Sequence, residues 1–278
     1  MNLLSVSSKN WILKKYSQED VIFFKDNFYL DEITSKLLSI RKIKREDVQS
    51  FLDPSIKSFL PNPLILNDME KSAKRTLDAI NSDVKIGIFG DYDVDGASST
   101  ALLGNYFSSI GLKYEIYIPD RKTEGYGPSI GSFKYLMEKG VKLIFTVDCG
   151  TLSFDAIKYA NQKNIDVIVL DHHQSEINLP LAHSIVNPNR IDDKSKLNYL
   201  CAAGVTFMFL VALNKELRIS KLFKSRNIKE PNLLEYLDLV TLGTICDVVP
   251  LVGLNRAIVS QGMKIIKNKK NLGLKTLL

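Results

Sequence analysis

Cysteine is nearly absent from this chain of 278 residues: Cys149, Cys201 and Cys246 stand far apart, with no CxxC spacing. That argues against a disulfide framework and for a reducing compartment, with all three read as small buried packing residues. Long apolar runs are also missing. The longest, residues 201–213, is too short to span a bilayer. The N-terminal MNLLSVSSKNWILKK lacks the continuous apolar core of a signal peptide. A cytoplasmic protein without membrane contact is expected. Internal repeats and low-complexity tracts are absent too. What is present suits a globular chain, 45% hydrophobic and 24% charged, long enough to bury one large core or two smaller ones. The net charge of +6 and pI of 9.0 would draw polyanions, a pointer to nucleic acid, although solubility explains the same charge.

Residues 1–80 read as a helical N-terminal region, with helices over 18–28, 31–41, 45–52 and 68–81, the last capped by Asn67. The proline-punctuated FLDPSIKSFLPNP lies between them. From residue 81 to 252 the period changes. Strands are predicted over 84–89, 114–118, 142–147, 166–170 and 184–186, and helices over 97–110, 129–139 and 154–163. This βα alternation predicts an α/β fold, a parallel sheet with helices on both faces. Helices over 200–214, 232–246 and 256–268 follow, the last within a segment, 253–278, that reads as the start of a connecting helix.

Three predicted strands end in charged or metal-competent groups: GDYDVDG with Asp91, Asp93 and Asp95, then VDCG with Asp148, then DHH with Asp171, His172 and His173. All fall at carboxyl ends, where an open α/β sheet has its ligand crevice. Closely packed carboxylates repel one another and are usually offset by cations. In TLGTICDVVPL, Asp247 sits among apolar neighbours, where a carboxylate needs a partner or a metal; its other readings are a helix-terminal cap or a salt bridge to Arg256. Adjacent side chains on extended backbone point opposite ways, so one of His172 and His173 is expected to bind metal and the other to face substrate. Carboxylates and imidazole without thiolates suit Mn²⁺ or Mg²⁺, and the number of acids suggests two ions.

PDRKTEGYGPS offers Arg121, Glu124, a Gly125-Tyr126-Gly127 turn and the N-terminal amides of a helix, which read either as a phosphate-handling segment or as an ordinary glycine turn. NPNR places Arg190 near the same edge, as a phosphate contact or as a surface residue.

GDYDVDG, VDCG, DHH and CDVVPL resemble, in order and spacing, the motifs of the DHH phosphoesterase superfamily. RKTEGYGPS, NPNR and LCAAGVTF narrow the resemblance to the RecJ type, 5′-to-3′ exonucleases specific for single-stranded DNA. The resemblance implies Asp93, Asp95, Asp148, His172 and Asp247 as ligands of two Mn²⁺ or Mg²⁺ ions, with Asp148 bridging. Asp91 and Asp171 would support them, and His173 would stabilise charge on the scissile phosphate. Arg121, Glu124, Gly125, Tyr126, Gly127 and Arg190 would shape the substrate side. The implied reaction is in-line hydrolysis releasing 5′-mononucleotides, in DNA repair and recombination.

Two departures stand out. Many DHH members carry a further histidine ligand where this chain has Phe89, leaving Asp91 or water to fill that place. RecJ-type proteins also continue into a DHHA1 domain and an oligonucleotide-binding fold, whereas this chain stops at Leu278. The expectation is therefore the catalytic lobe of an enzyme with weak or absent processive activity alone, whose partners are single-stranded DNA and a missing C-terminal half or a single-strand-binding protein. Two other readings compete: a DHH phosphoesterase acting on oligoribonucleotides or cyclic dinucleotides, and a non-catalytic nucleic-acid-binding fragment.

Overall fold

Each of the five apolar runs forms a strand, and together they make one parallel sheet. In the computed structural model, which describes residues 3–4, 6–7, 9–268 and 271–277, these are β1 (Ile86–Gly90), β2 (Tyr114–Tyr117), β3 (Leu143–Val147), β4 (Asp166–Leu170) and β5 (Ser184–Val186). Their order across the sheet is β2-β1-β3-β4-β5, every pair parallel. The order reverses between β1 and β3, so the crevice expected of such a sheet opens at the carboxyl ends of those two strands.

Alternation along the strands divides the core into two layers. Leu143, Phe145, Val147, Ile168 and Leu170 face one side. There they meet Leu103, Tyr106 and Phe107 of α5 (Val94–Ser109) and Val205, Phe207 and Phe209 of α8 (Ala202–Ile219). Ile144, Val167, Val169 and Phe89 face the other, under Phe133 and Leu136 of α6 (Ile130–Glu138) and Ile157 and Ala160 of α7 (Phe154–Gln162). Each fully buried Ile, Leu or Phe contributes roughly 1.5–3 kcal/mol, which makes this double layer the main source of stability. Phe89 is committed to it, stacked on Tyr117 with ring centroids 5.7 Å apart.

The chain divides into two compact units, Met1–Ser55 and Ile56–Leu278. The first holds α1 (Gln18–Phe28), α2 (Glu32–Ile40) and α3 (Val48–Leu52), packed on Phe24, Leu38 and Val48. Ser17 and Asp31 cap α1 and α2 through their side chains. A two-residue antiparallel pair, Leu3–Leu4 with Asn10–Trp11, precedes them.

Helix α4 (Met69–Asn81), grouped above with the N-terminal helices, belongs to the second unit, where it lies on α8 and β5. Its N-cap is Asp68, not Asn67. Asn67 instead donates its side-chain amide to the Asp192 carbonyl, while Asp68 accepts from the Ile185 amide and from Arg190. Residues 232–246 break into a 3₁₀ turn, Leu233–Tyr236, and α9 (Leu237–Cys246). Helix α10 (Gly253–Lys267) packs against α9 and buries Leu254, Ala257 and Ile258.

Candidate metal centre

Helix α5 starts three residues earlier than its apolar pattern suggests, because Asp93 caps it, accepting from the Gly96 amide at 3.0 Å. This puts the motif's acids in distinct settings. Asp91 is buried at the end of β1, Asp93 is an exposed cap, and Asp95 is buried in the first helical turn. Asp95 also sits on the N-terminus of α8, its two oxygens accepting from the amides of Ala202 (2.6 Å) and Ala203 (3.0 Å). The Cys201 side chain adds a contact to the same carboxylate. Gly243 of α9 lies so close that a Cβ there would stand 2.5 Å from Asp95 Oδ1.

Asp148 follows β3 in the left-handed backbone region, at φ 62°. Burial is the largest influence on its carboxyl, and with the facing carboxylates of Asp95 and Asp93 it pushes the pKa up to about 10. His172 lies across from it, Nε2 being 3.2 Å from Asp148 Oδ1 and 3.8 Å from Asp95 Oδ2, while its Nδ1 is 3.8 Å from Asp247 Oδ2. Asp247 is the C-cap of α9 and half-buried; the neighbouring Ile245, Cys246, Val248 and Leu251 are exposed. The expectation of a buried Cys246 is thus corrected: it ends α9 on the solvent side. Cys149 and Cys201 are buried.

Within this cluster Asp91 Oδ1, Asp148 Oδ1 and His172 Nε2 are buried without a hydrogen-bond partner. Such orphans are costly, and cations bound in this cluster would satisfy them. Three sets of ligand atoms, each within 4.8 Å of one another, fit an ion: Asp95 with His172 and Asp247, Asp91 with Asp93 and Asp148, and Asp148 with His172 and His173. Asp148 and His172 recur in two sets each, the arrangement that closely spaced ions need. Asp91, expected in a supporting role, lies within ligand distance of Asp93 and Asp148.

Asp171 has a different task. Its Oδ1 accepts from the His172 amide (2.7 Å), the His173 amide (3.2 Å) and His173 Nδ1 (2.7 Å), and its Oδ2 from the Thr151 amide (3.1 Å). Burial pushes this carboxyl up, but the His173 ring, Thr151 and the His173 amide together outweigh it and hold the pKa at about 2. The same bond raises the His173 pKa, against its burial. His173 is half-exposed.

The other sequence-predicted residues divide. Tyr126 donates its hydroxyl to the Asp148 carbonyl at 3.1 Å and stands edge-on to His173. Gly125 and Gly127 flank it in left-handed backbone, φ 80° and 79°, which makes the turn. Arg121 is exposed and lies over the Tyr92 ring at 5.4 Å. Glu124 braces the loop, accepting from the Tyr117 hydroxyl and the Asp120 amide. Arg190 is committed elsewhere: it pairs with Asp68 (2.8 Å) and Asp192 (2.7 Å), donates to the Ile185 carbonyl and keeps only 10% of its side chain exposed. The two asparagines of NPNR matter more to the site than its arginine. Buried Asn187 donates to the Thr151 hydroxyl (2.8 Å) and the His173 carbonyl (2.9 Å), and Asn189 donates to the His172 carbonyl. They clamp the backbone of both histidines. Sequence reasoning passed over them, although the motif that holds them was in view.

Residues 85–244 match the DHH family, N-terminal domain. The chain is 33% identical over 273 residues to the single-stranded-DNA-specific exonuclease RecJ of Bacillus subtilis, covering 98% of this chain and 33% of that protein. It is 40% identical over 229 residues to the Escherichia coli protein of the same name, covering 82% and 40%. It therefore spans well under half the length of these curated relatives. Among solved structures it is similar to RecJ in complex with Mn²⁺ from Thermus thermophilus, with a TM-score of 0.74, 27% identity and coverage of 95% of this chain and 36% of that one. An exonuclease RecJ bound to manganese matches with a TM-score of 0.66 at 32% identity, over 76% and 51%. The family match over more than half of its residues and the motif acids gathered at one sheet edge make this chain a member of the DHH family.

Proposed function

We propose that this chain is the metal-binding portion of a two-metal phosphodiesterase that removes 5′-mononucleotides from single-stranded DNA in the 5′-to-3′ direction. The observation that carries the reading is the trio of buried, partnerless ligand atoms, Asp91 Oδ1, Asp148 Oδ1 and His172 Nε2, at the switch point of the sheet. Asp91, Asp93, Asp95, Asp148, His172 and Asp247 would hold two Mn²⁺ or Mg²⁺ ions. Bound there, the ions supply Lewis acidity toward the phosphodiester and activate water as the nucleophile.

The chain's own groups prepare that chemistry. The Ala202 and Ala203 amides fix Asp95, so its oxygens keep their place without help from an ion. Asp171 holds His173 by Nδ1 and favours its charged form, which suits a donor to a phosphate gathering negative charge. Tyr126 holds the backbone of Asp148 beside it. The DHH part would span residues 81–252, with 253–278 leading toward the further sequence that the relatives contain. That sequence, or a single-strand-binding protein, would partner it on the strand. Among the described residues no helix is long and apolar enough to cross a membrane, and we place the protein in the cytoplasm.

The test pairs Mn²⁺ titration with degradation of 5′-phosphorylated single strands, duplexes and dinucleotides. Tight Mn²⁺ binding lost in Asp148→Asn, with single strands degraded in preference to duplex, is the expected result. Turnover of dinucleotides but never of longer DNA, or Mn²⁺ binding unchanged in Asp148→Asn, would overturn it.

A further inference from the structure

A cavity of about 800 Å³ adjoins the metal centre, sharing Tyr126, Asp171 and His173 with it, and the rest of its lining has no part in the proposed hydrolysis. It runs from Tyr126 across residues 150–156 to Asp171, His173 and Gln174. His173 forms part of its wall and also lies 3.9 Å from Asp148, so the cavity opens within one nucleotide's reach of the acid cluster.

Its chemistry is unlike that of the cluster. Tyr126, Leu152 and Phe154 are 55%, 45% and 40% exposed, large apolar groups gathered around one hollow beside a polar centre. Leaving them wet costs hydrophobic free energy that an apolar occupant recovers. Among the described residues no lysine or arginine lines the cavity; His173, hydrogen-bonded to Asp171, is the one lining group that can carry positive charge, and the others that carry charge are the carboxylates Asp155 and Asp171. Away from His173 a phosphate would be repelled there. A neutral, flat heterocycle would not, since it can lie against the aromatic rings while Gln174, Thr151 and Ser153 offer hydrogen bonds to its edge. The volume admits a purine as readily as a pyrimidine, so stacking there gives affinity without base preference.

From this we infer that the cavity between Tyr126 and Phe154 receives the nucleobase of the nucleotide carrying the scissile phosphate. The inference rests on the phosphodiesterase reading above and deepens it. The base anchors one nucleotide next to His173, and the sugar bridges from base to phosphate.

Binding separates the two readings without any need for turnover. Ligand-observed NMR titrations would compare deoxyadenosine, dAMP and 2-deoxyribose 5-phosphate on wild-type protein and on Phe154→Ala, with Mn²⁺ binding measured alongside. Phe154 lines the cavity and lies outside the hydrogen-bonded acid and histidine cluster. Deoxyadenosine and dAMP should each weaken about five-fold or more in Phe154→Ala, the scale of one lost stacking contact. Binding of 2-deoxyribose 5-phosphate and Mn²⁺ should stay unchanged. Equal affinity of wild type for dAMP and 2-deoxyribose 5-phosphate, or deoxyadenosine binding indifferent to Phe154→Ala, would overturn the inference. Failure of Mn²⁺ to bind would instead sink the reading beneath it, while the deoxyadenosine comparison, which needs no ion, still decides the cavity.

Discussion

Replacing Asp148 with Asn should make protein stripped of divalent ions more stable. Asp148 is 2% exposed, and its carboxyl is pushed from 3.8 up to about 10 by burial and by the facing Asp95 and Asp93. An acid whose pKa rises on folding lends stability below its unfolded value and loses it as the pH climbs through the folded one. Between the two, the folded chain holds a proton that the unfolded chain has released. Stability then falls by about 1.4 kcal/mol per pH unit, or about 4 kcal/mol by pH 7. Asn has no such proton, almost the same shape, and tolerance for the φ of 62° found here. In EDTA at pH 7 the urea midpoint of Asp148→Asn should exceed that of wild type by roughly 1 M or more, and the gap should close toward pH 4. Mn²⁺ at a hundred times its Kd should then narrow the gap, because it stabilises a binding-competent chain by about 2.7 kcal/mol and the variant by little. A lower midpoint for the variant in EDTA at both pH values would refute the reasoning, showing the charge to be supported by its surroundings and not opposed by them.

Gly243→Ala sets helix propensity against the close approach to Asp95. Propensity alone predicts a gain of about 1 kcal/mol, but the 2.5 Å contact predicts a lower melting temperature and weaker Mn²⁺ binding; a stabilised variant with unchanged affinity would discard the contact argument. Arg190→Met should cost about 2–3 kcal/mol in urea unfolding, leaving the Asp68 carboxylate underpaired, while Mn²⁺ affinity stays within about two-fold, as befits a brace. Asp171, held at about 2 against 3.8 when unfolded, contributes about 2 kcal/mol above pH 4 that is lost as the pH falls through 2. Melting curves of wild type and Asp171→Asn should therefore converge between pH 4 and 2, and parallel curves would contradict the assignment. Asn187→Leu leaves the Thr151 hydroxyl and the His173 carbonyl short of a donor and should lower stability by about 2–4 kcal/mol, read by urea titration.

The sheet was legible because a strand covered on both faces reads as a short unbroken apolar run, as in LIFTV and DVIVL. The acids were legible for the same reason: a carboxylate that directly follows such a run stands at the carboxyl edge. What stayed hidden depended on distant partners. Nothing near Arg190 announces that Asp68, 122 residues away, holds it. Asn67 and Asp68 are both good caps by residue type, and their distant ties, Asn67 to Asp192 and Asp68 to Ile185 and Arg190, set their positions apart. Cys246 sits in an apolar sequence, yet that stretch ends a helix at the surface. Nothing in the sequence around Gly243 shows that α9 sets it against Asp95.

Asp95 has two employers, the acid cluster and the buried N-terminal amides of an 18-residue core helix. Its removal would uncap α8 whether or not any chemistry takes place, so an inactive Asp95 variant could not tell a dead enzyme from a damaged one. Asp148 is the cleaner place to silence the protein. The same asymmetry would leave a trace in evolution. A diverged copy that had abandoned hydrolysis would be free to lose Asp148 early, but selection for a folded chain alone would keep Asp95, so the survival of that residue in a relative speaks for its architecture and not for its activity.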